Sequence, residues 1–542
     1  MNKRTLIIGI ILSAVMITSC VKDLDVKPLD PNILLAGNLG DDPVYLQQSL
    51  AKVYASFIIS GQGEGANRGP DISSGDENFF TTMRALWNLQ EITTDEAICA
   101  WGDIGIADLN TQTWSPSNPF LTAIYQRLGL SITLANVFIG YTNEYDDPAV
   151  IQYNAEARFL RSLAYYWAID LFGQFPFTDE NTGVGKFFPE IKSRTEIFNF
   201  IEGELIDIID LLGEPGFSYP QADKAAAWML LARLYLNAEV YTGTARWDDC
   251  KTYCDLVIND GTYQLASDYR QNFTADNDAA HNPEMIFAWE QDGTFTQGYV
   301  GTTFIIQSSS DNTYLDAATI HGLPSNPNWN GNRARKEFLN VMIDTLATYG
   351  NVPIPATDTF FRANPDSRIF MRQKLSIDIP SANSDGNYGI GVYKFTALNF
   401  DGSQPATYNP AYACTDFPIF RLADAYLMRA EALHNLSDDA GAADDINVIR
   451  ERAFGDDSQN VSPGQVTDQL ILDERGREFY FEAHRRTDLV RFGKFTGDEY
   501  LWSWKGGVYE GTSTDSHLDI FPLPGDEVSS NPNYNGENNP GY

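Results

Sequence analysis

Long apolar runs and basic residues are both scarce in this sequence of 542 residues. Beyond Ile17, no segment is long and apolar enough to cross a bilayer, which excludes a polytopic helical membrane protein. Lys and Arg number 37 against 73 Asp and Glu, so the formal net charge is −36. Such a surface repels phosphate groups, which argues against nucleic-acid binding and against electrostatic docking on an anionic membrane.

Cysteine and histidine are also rare, with five of each. Beyond Cys20 the cysteines are Cys99, Cys250, Cys254 and Cys414, and the helical spacing of Cys250 and Cys254 suits a disulfide poorly. We therefore expect buried free thiols and not a disulfide scaffold. The histidines lack metal-ligand spacing, and the sequence contains no Gly-x-Ser-x-Gly elbow, His-Glu-x-x-His site or P-loop.

The N-terminus carries a targeting signal. Lys3 and Arg4 precede an apolar stretch from Thr5 to Ile17, and the small residue Ser19 stands directly before Cys20. This order predicts a lipoprotein signal peptide at residues 1–19, with Cys20 as the acylated first residue of the mature chain. An ordinary secretory signal that happens to contain a cysteine is the alternative. Residues 20–42 are polar and contain prolines, which predicts a lipidated tether.

Helical periodicity recurs through residues 43–542, which we interpret as a single domain. The clearest stretches are about 43–59, 119–140, 148–172, 194–212, 222–241, 246–259, 333–347, 420–436, 440–453 and 467–492. Two regions, 226–257 and 425–453, contain paired stretches in which small residues permit close antiparallel packing. This pattern is typical of tetratricopeptide hairpins, although any helical hairpin is the alternative because the full repeat signature is not matched.

Two segments, about 261–332 and 349–419, are richer in Gly, Pro, Asn, Ser and Thr. Their short apolar runs, Met285–Phe287 and Thr303–Ile306, predict short strands. The predicted fold is therefore mostly α, with tetratricopeptide-like hairpins that support an irregular, loop-rich lobe containing short strands. Long irregular insertions on a rigid scaffold are where binding surfaces usually lie.

Several segments make the sequence recognisable. They include Ala157-Arg158-Phe159-Leu160-Arg161, Asp170-Leu171-Phe172-Gly173, Arg233-Leu234-Tyr235-Leu236-Asn237, Phe420-Arg421-Leu422-Ala423-Asp424, Glu474-Arg475-Gly476-Arg477-Glu478, Arg485-Arg486-Thr487-Asp488-Leu489 and Asn539-Pro540-Gly541-Tyr542. Together with the lipoprotein cysteine, they resemble the SusD-like (RagB/SusD) glycan-binding lipoproteins of Bacteroidetes over essentially the whole chain. Thr94-Asp95-Glu96 and Trp502-Ser503-Trp504-Lys505-Gly506-Gly507 resemble the starch-binding members of that family.

The resemblance implies a non-catalytic protein that is lipid-anchored on the outer-membrane surface. It implies four tetratricopeptide-like hairpins and a partner, a SusC-like TonB-dependent transporter that the lipoprotein caps as a hinged lid. The implied ligand is an α-glucan such as starch or malto-oligosaccharides, and no cofactor is required.

The resemblance also implies a binding arc of two tryptophans and a tyrosine, which fall at Trp101, Trp329 and Tyr299. Flat rings can cover the apolar C–H faces of sugars, and each contact is comparable to an aromatic pair, about 0.5–1.5 kcal/mol. Arg84 matches a position that can donate to sugar hydroxyls. Ordinary core packing is the alternative for each aromatic residue.

This sequence departs from the family pattern beside Trp101. Cys99 stands where another aromatic is frequent, and Ile104 stands where a polar contact is expected. We expect Asp103 to supply that polar contact.

An acidic loop offers a possible metal site. Asp276, Asp278 and the nearby Glu284 carry the hard oxygen ligands that Ca²⁺ prefers. The loop lacks the full EF-hand pattern, and a solvated acidic loop is the alternative.

Three other interpretations remain open at this point. A surface glycoside hydrolase would need two carboxylates across a cleft, one with a raised pKa. A peptide-binding scaffold would use a tetratricopeptide groove and would not need exposed aromatic rings. The Arg-rich segment 475–491 could form a basic patch, but its interspersed acidic residues favour structural ion pairs.

Overall fold

The computed structural model describes residues 43–61, 69–72, 81–182, 187–278, 280–315, 318, 320–325, 328–344, 364–383 and 385–542. The chain divides into two compact units, Met1–Gln48 and Ser49–Tyr542. The predicted signal peptide, the tether and the lipidation site Cys20 lie outside the described residues. Across the ranges given above, no helix combines the length and apolarity that a bilayer-spanning segment needs.

Helices dominate the described residues, and local sequence explains where the long ones start. The α-helices are α1 (Pro43–Ile58), α2 (Thr82–Trp87), α3 (Ile106–Thr111), α4 (Pro119–Thr142), α5 (Pro148–Phe172), α6 (Arg194–Ile208), α7 (Lys224–Leu236), α8 (Ala238–Thr242), α9 (Trp247–Asp260), α10 (Gly301–Ser309), α11 (Phe338–Met342), α12 (Leu422–Asn435), α13 (Asp439–Phe454), α14 (Asp468–Phe479), α15 (Arg485–Arg491) and α16 (Gly525–Ser530). Asn118 and Asp147 cap α4 and α5, each directly before a proline at the first helical position. Ser193 and Glu196 form a capping box at α6.

Antiparallel helix pairs form the scaffold. Helices α4 and α5, α7 and α9, and α12 and α13 pack against each other, and α9 also packs on α12. Ala226, Ala232, Ala425 and Ala432 are buried at these contacts, where small side chains let the helices approach closely. The two hairpins predicted from the sequence are therefore confirmed, together with the mostly α fold.

Eight short strands complete the described part of the fold. They are β1 (Ala97–Cys99), β2 (Phe175–Phe177), β3 (Glu190–Lys192), β4 (Met285–Trp289), β5 (Asn332–Ala334), β6 (Met371–Gln373), β7 (Ile390–Val392) and β8 (Phe417–Arg421). Strands β1, β5, β7 and β6 form one sheet in that order, while β2 pairs with β3 and β4 with β8. The predicted strand at Met285–Phe287 is confirmed by β4.

Three local predictions are wrong, each for an identifiable reason. Thr303–Ile306 lies in helix α10, where every residue is buried, so the sequence shows no amphipathic period. The described part of the predicted helix 333–347 is instead β5 followed by the short α11, and residues 345–347 lie outside the described residues. The predicted helix 467–492 is broken after Phe479, because Phe481 and Ala483 take left-handed φ angles of 64° and 63°. The backbone N–H group of Phe481 freed by this break is bound by Glu96 at 2.6 Å.

The arginines of the segment 475–491 form buried ion pairs, such as Arg475 with Asp488 at 2.9 Å and Arg485 with Asp95 at 2.8 Å. The segment also contributes Glu478 and Glu482 to a larger buried ionic network. Arg421 contacts Glu284, Glu478 and Glu482, each at 2.7 Å, and Arg452 contacts Glu478 at 2.6 Å. The neighbouring guanidinium groups lower the pKa of Glu478 to about 2 against the opposing effect of burial, which is the largest single contribution. The structural interpretation of this segment is confirmed, although most partners are distant in sequence and not one helical turn away.

The four described cysteines are all buried free thiols. Burial raises the pKa of Cys99 to about 11 and raises the pKa of Cys414 as well. Cys99 and Cys414 therefore stay protonated at neutral pH, which makes them poor nucleophiles and poor metal ligands.

Candidate functional site

The pairing of β1 with β5 places two tryptophans side by side. Cys99 is the register partner of Asn332, so the chain leaves β1 at the point where it enters β5. Trp101 lies two residues after β1 and Trp329 three residues before β5, which puts both at the same end of the sheet. The indole Nε1 of Trp101 donates to the carbonyl oxygen of Trp329 at 2.9 Å. The sequence-predicted tryptophans are therefore adjacent in space.

Tyr299 extends this pair into a row of aromatic rings. The ring centroids of Trp101 and Trp329 are 6.2 Å apart, and those of Trp329 and Tyr299 are 6.0 Å apart. Tyr412 follows at 5.6 Å from Tyr299. Successive ring planes are tilted by 60°, 64° and 51°, so the row is not flat. All four side chains are half-buried, with their inner edges packed and part of each left accessible.

Arg84 supports the Trp101 ring from the protein side. Its guanidinium carbon lies 5.3 Å from the Trp101 ring centroid and 5.2 Å from that of Phe304. Arg84 is only 3% exposed, and it forms an ion pair with Asp103 at 2.9 Å. The sequence resemblance predicts a direct donor to a ligand at this position, but the structure places the guanidinium beneath the ring.

Asp103 and Ile104 form the rim next to Trp101. The Asp103 side chain pairs with Arg84 yet remains 34% exposed, so it can still accept a hydrogen bond from a ligand hydroxyl. Ile104 is 85% exposed and cannot donate or accept through its side chain. The rim therefore presents a carboxylate and an apolar group beside the first ring.

Gly331 fixes the position of the Trp101 ring. A Cβ atom at this glycine would lie 2.2 Å from Cε2 of Trp101, well inside contact distance. The backbone of Gly331 is itself held, because its N–H donates to the Ser308 carbonyl oxygen at 2.7 Å. Arg84 and Phe304 also lie against the Trp101 ring and restrict its movement.

We predict that Gly331→Ala lowers ligand affinity at this row about tenfold, the equivalent of losing one ring contact of about 1.4 kcal/mol. The added methyl group displaces the Trp101 ring while every aromatic side chain is kept. Titration calorimetry measures the affinity. The control is Gly464→Ala, at an exposed position where no atom lies within 4 Å of the added methyl group. Unchanged affinity in Gly331→Ala would show that the Trp101 ring position is unimportant.

Several known proteins are similar to this chain in sequence and in fold. The SusD family model matches residues 348–542. The chain is 35% identical to the starch-binding protein SusD of Bacteroides thetaiotaomicron, over 97% of this chain and 96% of that protein. The chain belongs to the SusD family.

Solved structures of the SusD fold superpose on this one over most of their length. Surface glycan-binding protein A from Bacteroides fluxus matches with a TM-score of 0.65 and 21% identity, covering 92% of this chain and 100% of that chain. Surface glycan-binding protein A from Bacteroides thetaiotaomicron, solved with laminarihexaose, matches with a TM-score of 0.64 and 18% identity, covering 90% and 97%. At these identities the likeness establishes the fold alone.

In this SusD-family chain, Asp416 anchors the loop that carries Tyr299. Its Oδ1 accepts a hydrogen bond from the backbone N–H of Gln291 at 2.7 Å, and the hydroxyl of Tyr219 donates to its Oδ2. Burial is the main cause that raises the pKa of Asp416 to about 7, against the opposing effect of those two hydrogen bonds. The buried Asp416 carboxyl therefore ties this loop to the turn that contains Tyr219.

We predict that Asp416→Asn flattens the pH dependence of stability. The folded protein keeps the Asp416 proton up to about pH 7, whereas the unfolded chain releases it near pH 4. The contribution of this group to unfolding free energy therefore falls as pH rises from about 4 to about 7, and is lost above that range. Calorimetric melting between pH 5 and 8 should show a smaller decline of Tm in Asp416→Asn than in the wild type. An equal decline would contradict the buried, protonated state, and the exposed Glu144→Gln serves as control.

Two residues of the ring row and its support are not among the residues predicted from the sequence. Tyr412 continues the ring row, and Phe304 lies under Trp101 at 6.2 Å between ring centroids. Tyr412 follows Asn409-Pro410-Ala411, a loop composition like that around Trp329, and this signal could have found it. Phe304 gave no such signal, because it belongs to a fully buried helix.

The predicted calcium site of Asp276, Asp278 and Glu284 is wrong. Glu284 is fully buried, and its two carboxylate oxygens are bound by Arg421 at 2.7 Å and Arg452 at 3.1 Å. Asp276 accepts from the backbone N–H of Phe400, while Asp278 pairs with His281. Within the described ranges no group of three or more acidic, histidine or cysteine side chains is arranged to hold a metal ion.

Proposed function

We propose that this chain is a cell-surface α-glucan-binding protein, for starch or malto-oligosaccharides, that delivers its ligand to a SusC-like TonB-dependent transporter. The observation that carries the proposal is the continuous row of ring contacts from Trp101 through Trp329 to Tyr299. Three residues that are far apart in sequence meet in one row, half-buried and firmly supported. Rings of this kind offer apolar faces to sugar rings.

The tilt between the rings favours a coiled polymer. Successive planes turn by 60° and 64°, so a ligand that touches all three rings must itself curve. An α-1,4-linked glucan coils, whereas a flat, extended β-1,4-linked chain would match coplanar rings better. The 35% identity to a protein named for starch binding, over nearly the whole of both chains, supports the same ligand.

The expected affinity is modest, which suits a protein that captures and releases its ligand. Three ring contacts of about 0.5–1.5 kcal/mol each, with a few hydrogen bonds, correspond to a Kd of roughly tens of micromolar to millimolar. Rim groups such as Asp103 can supply the hydrogen bonds.

We further propose that the chain is not an enzyme. A glycosidase needs a carboxyl of raised pKa that faces the substrate. Burial raises the pKa of Glu96, Glu156 and Asp416 to about 7, but each is at most 4% exposed, so none of these three carboxyls faces a bound polymer. The carboxylate beside the ring row, Asp103, is paired with Arg84.

The anchor and the transporter partner rest on sequence and family membership. Thr18-Ser19-Cys20 after an apolar stretch supports lipid attachment at the outer membrane. Cys20→Ala is expected to release the protein from the membrane fraction, with glucan binding unchanged. Co-purification of a β-barrel transporter with the lipidated wild-type protein tests the partner.

Affinity electrophoresis in gels that contain one polysaccharide each tests the ligand. We expect retardation by amylopectin and pullulan, and none by dextran, levan or laminarin. Retardation by laminarin without retardation by amylopectin would replace the α-glucan assignment with a β-glucan one. Release of new reducing ends from soluble starch would overturn the non-enzymatic assignment.

A further inference from the structure

A second pair of aromatic side chains lies outside the ring row, in the turn Trp502–Gly511. Trp502 is fully buried, but Trp504 and Tyr509 are half-buried. Their ring centroids are 5.5 Å apart with planes at 76°, so the two rings form a corner. We call Trp504 and Tyr509 the corner pair.

The turn that presents the corner pair is built from strained backbone. Trp504 takes a left-handed φ of 72°, a conformation that is strained for a bulky residue. Glycine or asparagine would fit this position with less strain. The conformation is held by hydrogen bonds from Trp504 N–H to the Val508 carbonyl oxygen at 2.9 Å and from Gly507 N–H to the Trp504 carbonyl oxygen at 3.0 Å. A tryptophan in this strained conformation suggests a function for its ring.

The base of the turn is also rigid. Lys505 is fully buried, with its Nζ 2.8 Å from the Tyr500 carbonyl oxygen and 4.3 Å from the Trp502 ring centroid. The indole Nε1 of Trp504 donates to the carbonyl oxygen of Ile379 at 3.0 Å. This bond satisfies the polar edge of the indole and fixes the ring, which leaves its apolar face for other contacts.

A polar rim adjoins the corner pair. Lys336 forms an ion pair with Asp378 at 2.8 Å, and its ammonium lies 5.1 Å from the Tyr509 ring centroid. The Tyr509 hydroxyl lies 3.4 Å from Asp378 Oδ1. Asp378 is 56% exposed, so this rim can exchange hydrogen bonds with ligand hydroxyls. Aromatic faces bordered by a few charged groups are the chemistry that recognises a sugar.

We propose that the corner pair, with Lys336 and Asp378, is a second glucan-binding platform that engages the same polymer as the ring row. This inference rests on the proposed α-glucan ligand. A single glucose unit would place one face on Trp504 and an edge against Tyr509, with its hydroxyls toward the Lys336–Asp378 pair.

A backbone bridge and a side-chain hydrogen bond connect the segment of the corner pair's rim to the segment of the ring row. Ser376, two residues before Asp378, forms a β-bridge with Tyr388. The adjacent Asn387 accepts a hydrogen bond at 3.3 Å from Asn330, which directly follows Trp329. The spacing between the platforms is therefore fixed by the fold. A long glucan that reaches both would gain affinity because its second contact is intramolecular, whereas a trisaccharide would not.

The test compares a short and a long ligand in Trp504→Ala. We expect the Kd for maltotriose, measured by calorimetry at the ring row, to stay within twofold of the wild type. We expect the affinity for amylopectin, measured by gel retardation, to fall about threefold to tenfold, the range of one ring contact. In a Trp101→Ala plus Trp329→Ala background, adding Trp504→Ala should remove the remaining retardation.

Two variants control for damage to the turn. Trp504→Phe keeps a flat ring and should retain most amylopectin affinity, and Val508→Ala changes an exposed residue of the same turn without removing a ring. If Trp504→Ala lowers the unfolding midpoint sharply, the same comparison of maltotriose and amylopectin affinity is made with Tyr509→Ala, which removes the other ring of the corner pair.

The possible outcomes separate the second platform from the proposed function. Unchanged amylopectin retardation in Trp504→Ala and Tyr509→Ala overturns the second platform but leaves the proposed function intact. An equal loss for maltotriose and amylopectin also overturns it, because the effect would then act through the ring row. Absence of any α-glucan binding by the wild type would instead defeat the proposed function itself.

Discussion

Replacing Trp101 and Trp329 together by alanine is expected to lower the affinity for maltoheptaose by about 100-fold, since two ring contacts of up to about 1.5 kcal/mol each are lost. The two rings are neighbours at 6.2 Å, and the Trp101 indole also donates to the Trp329 backbone. Removing both therefore takes away the middle and one end of the row. Isothermal titration calorimetry gives the change directly.

Trp228→Ala is the matched control for this double variant. Trp228 is half-buried like the two ring-row tryptophans, but it lies on helix α7 of the scaffold. Its loss should leave maltoheptaose affinity unchanged, although it can lower stability. Wild-type affinity in the double variant would contradict the assignment of the site, and an equal loss in Trp228→Ala would point to a global effect.

Replacing Arg421 by methionine is expected to lower the free energy of unfolding by about 3–5 kcal/mol, the range for breaking a buried ion pair from one side. The guanidinium contacts Glu284, Glu478 and Glu482, which are fully or almost fully buried. Methionine fills similar volume but leaves these carboxylates without their shared partner. Urea denaturation at pH 7 measures the loss.

The loss of stability in Arg421→Met is also expected to depend on pH. The folded-state pKa of Glu478 is lowered to about 2, so its stabilising contribution is complete above the unfolded pKa of about 4.3 and is lost as pH falls toward 2. The difference in stability between wild type and Arg421→Met should therefore shrink as pH falls from about 4 to about 2. Lys494→Met, which breaks a partly exposed pair with Glu499, should change stability by less than about 1 kcal/mol. A similar small effect for Arg421→Met would show that the network contributes little.

The helical scaffold was predictable because its signals are local. Asn118-Pro119 and Asp147-Pro148 mark helix starts through capping and a preset φ angle, and the helices between 119 and 172 follow the predicted bounds closely. Alanine-rich faces likewise indicate which helices pair. The ring row was predictable from resemblance alone, since nothing local joins Trp101, Tyr299 and Trp329.

The predictions that are wrong concern residues whose structure depends on contacts with residues far away in the sequence. Phe304 lies in a helix buried on every side, so its apolar run cannot be told from a strand by periodicity. Arg333 and Arg335 suggest a solvated helix, but both are fully buried and bind backbone carbonyl oxygens, including that of Ala97 at 2.9 Å. Glu284 resembles a metal ligand in sequence because its arginine partners lie more than a hundred residues away. Local sequence spacing cannot indicate partners that are this far away along the chain.

The most direct measurement is a crystal structure of the protein with maltoheptaose. We expect one curved oligosaccharide whose glucose rings contact Trp101, Trp329 and Tyr299, with a hydroxyl within hydrogen-bond distance of Asp103. A ligand seated elsewhere, with these three rings bare, would contradict it.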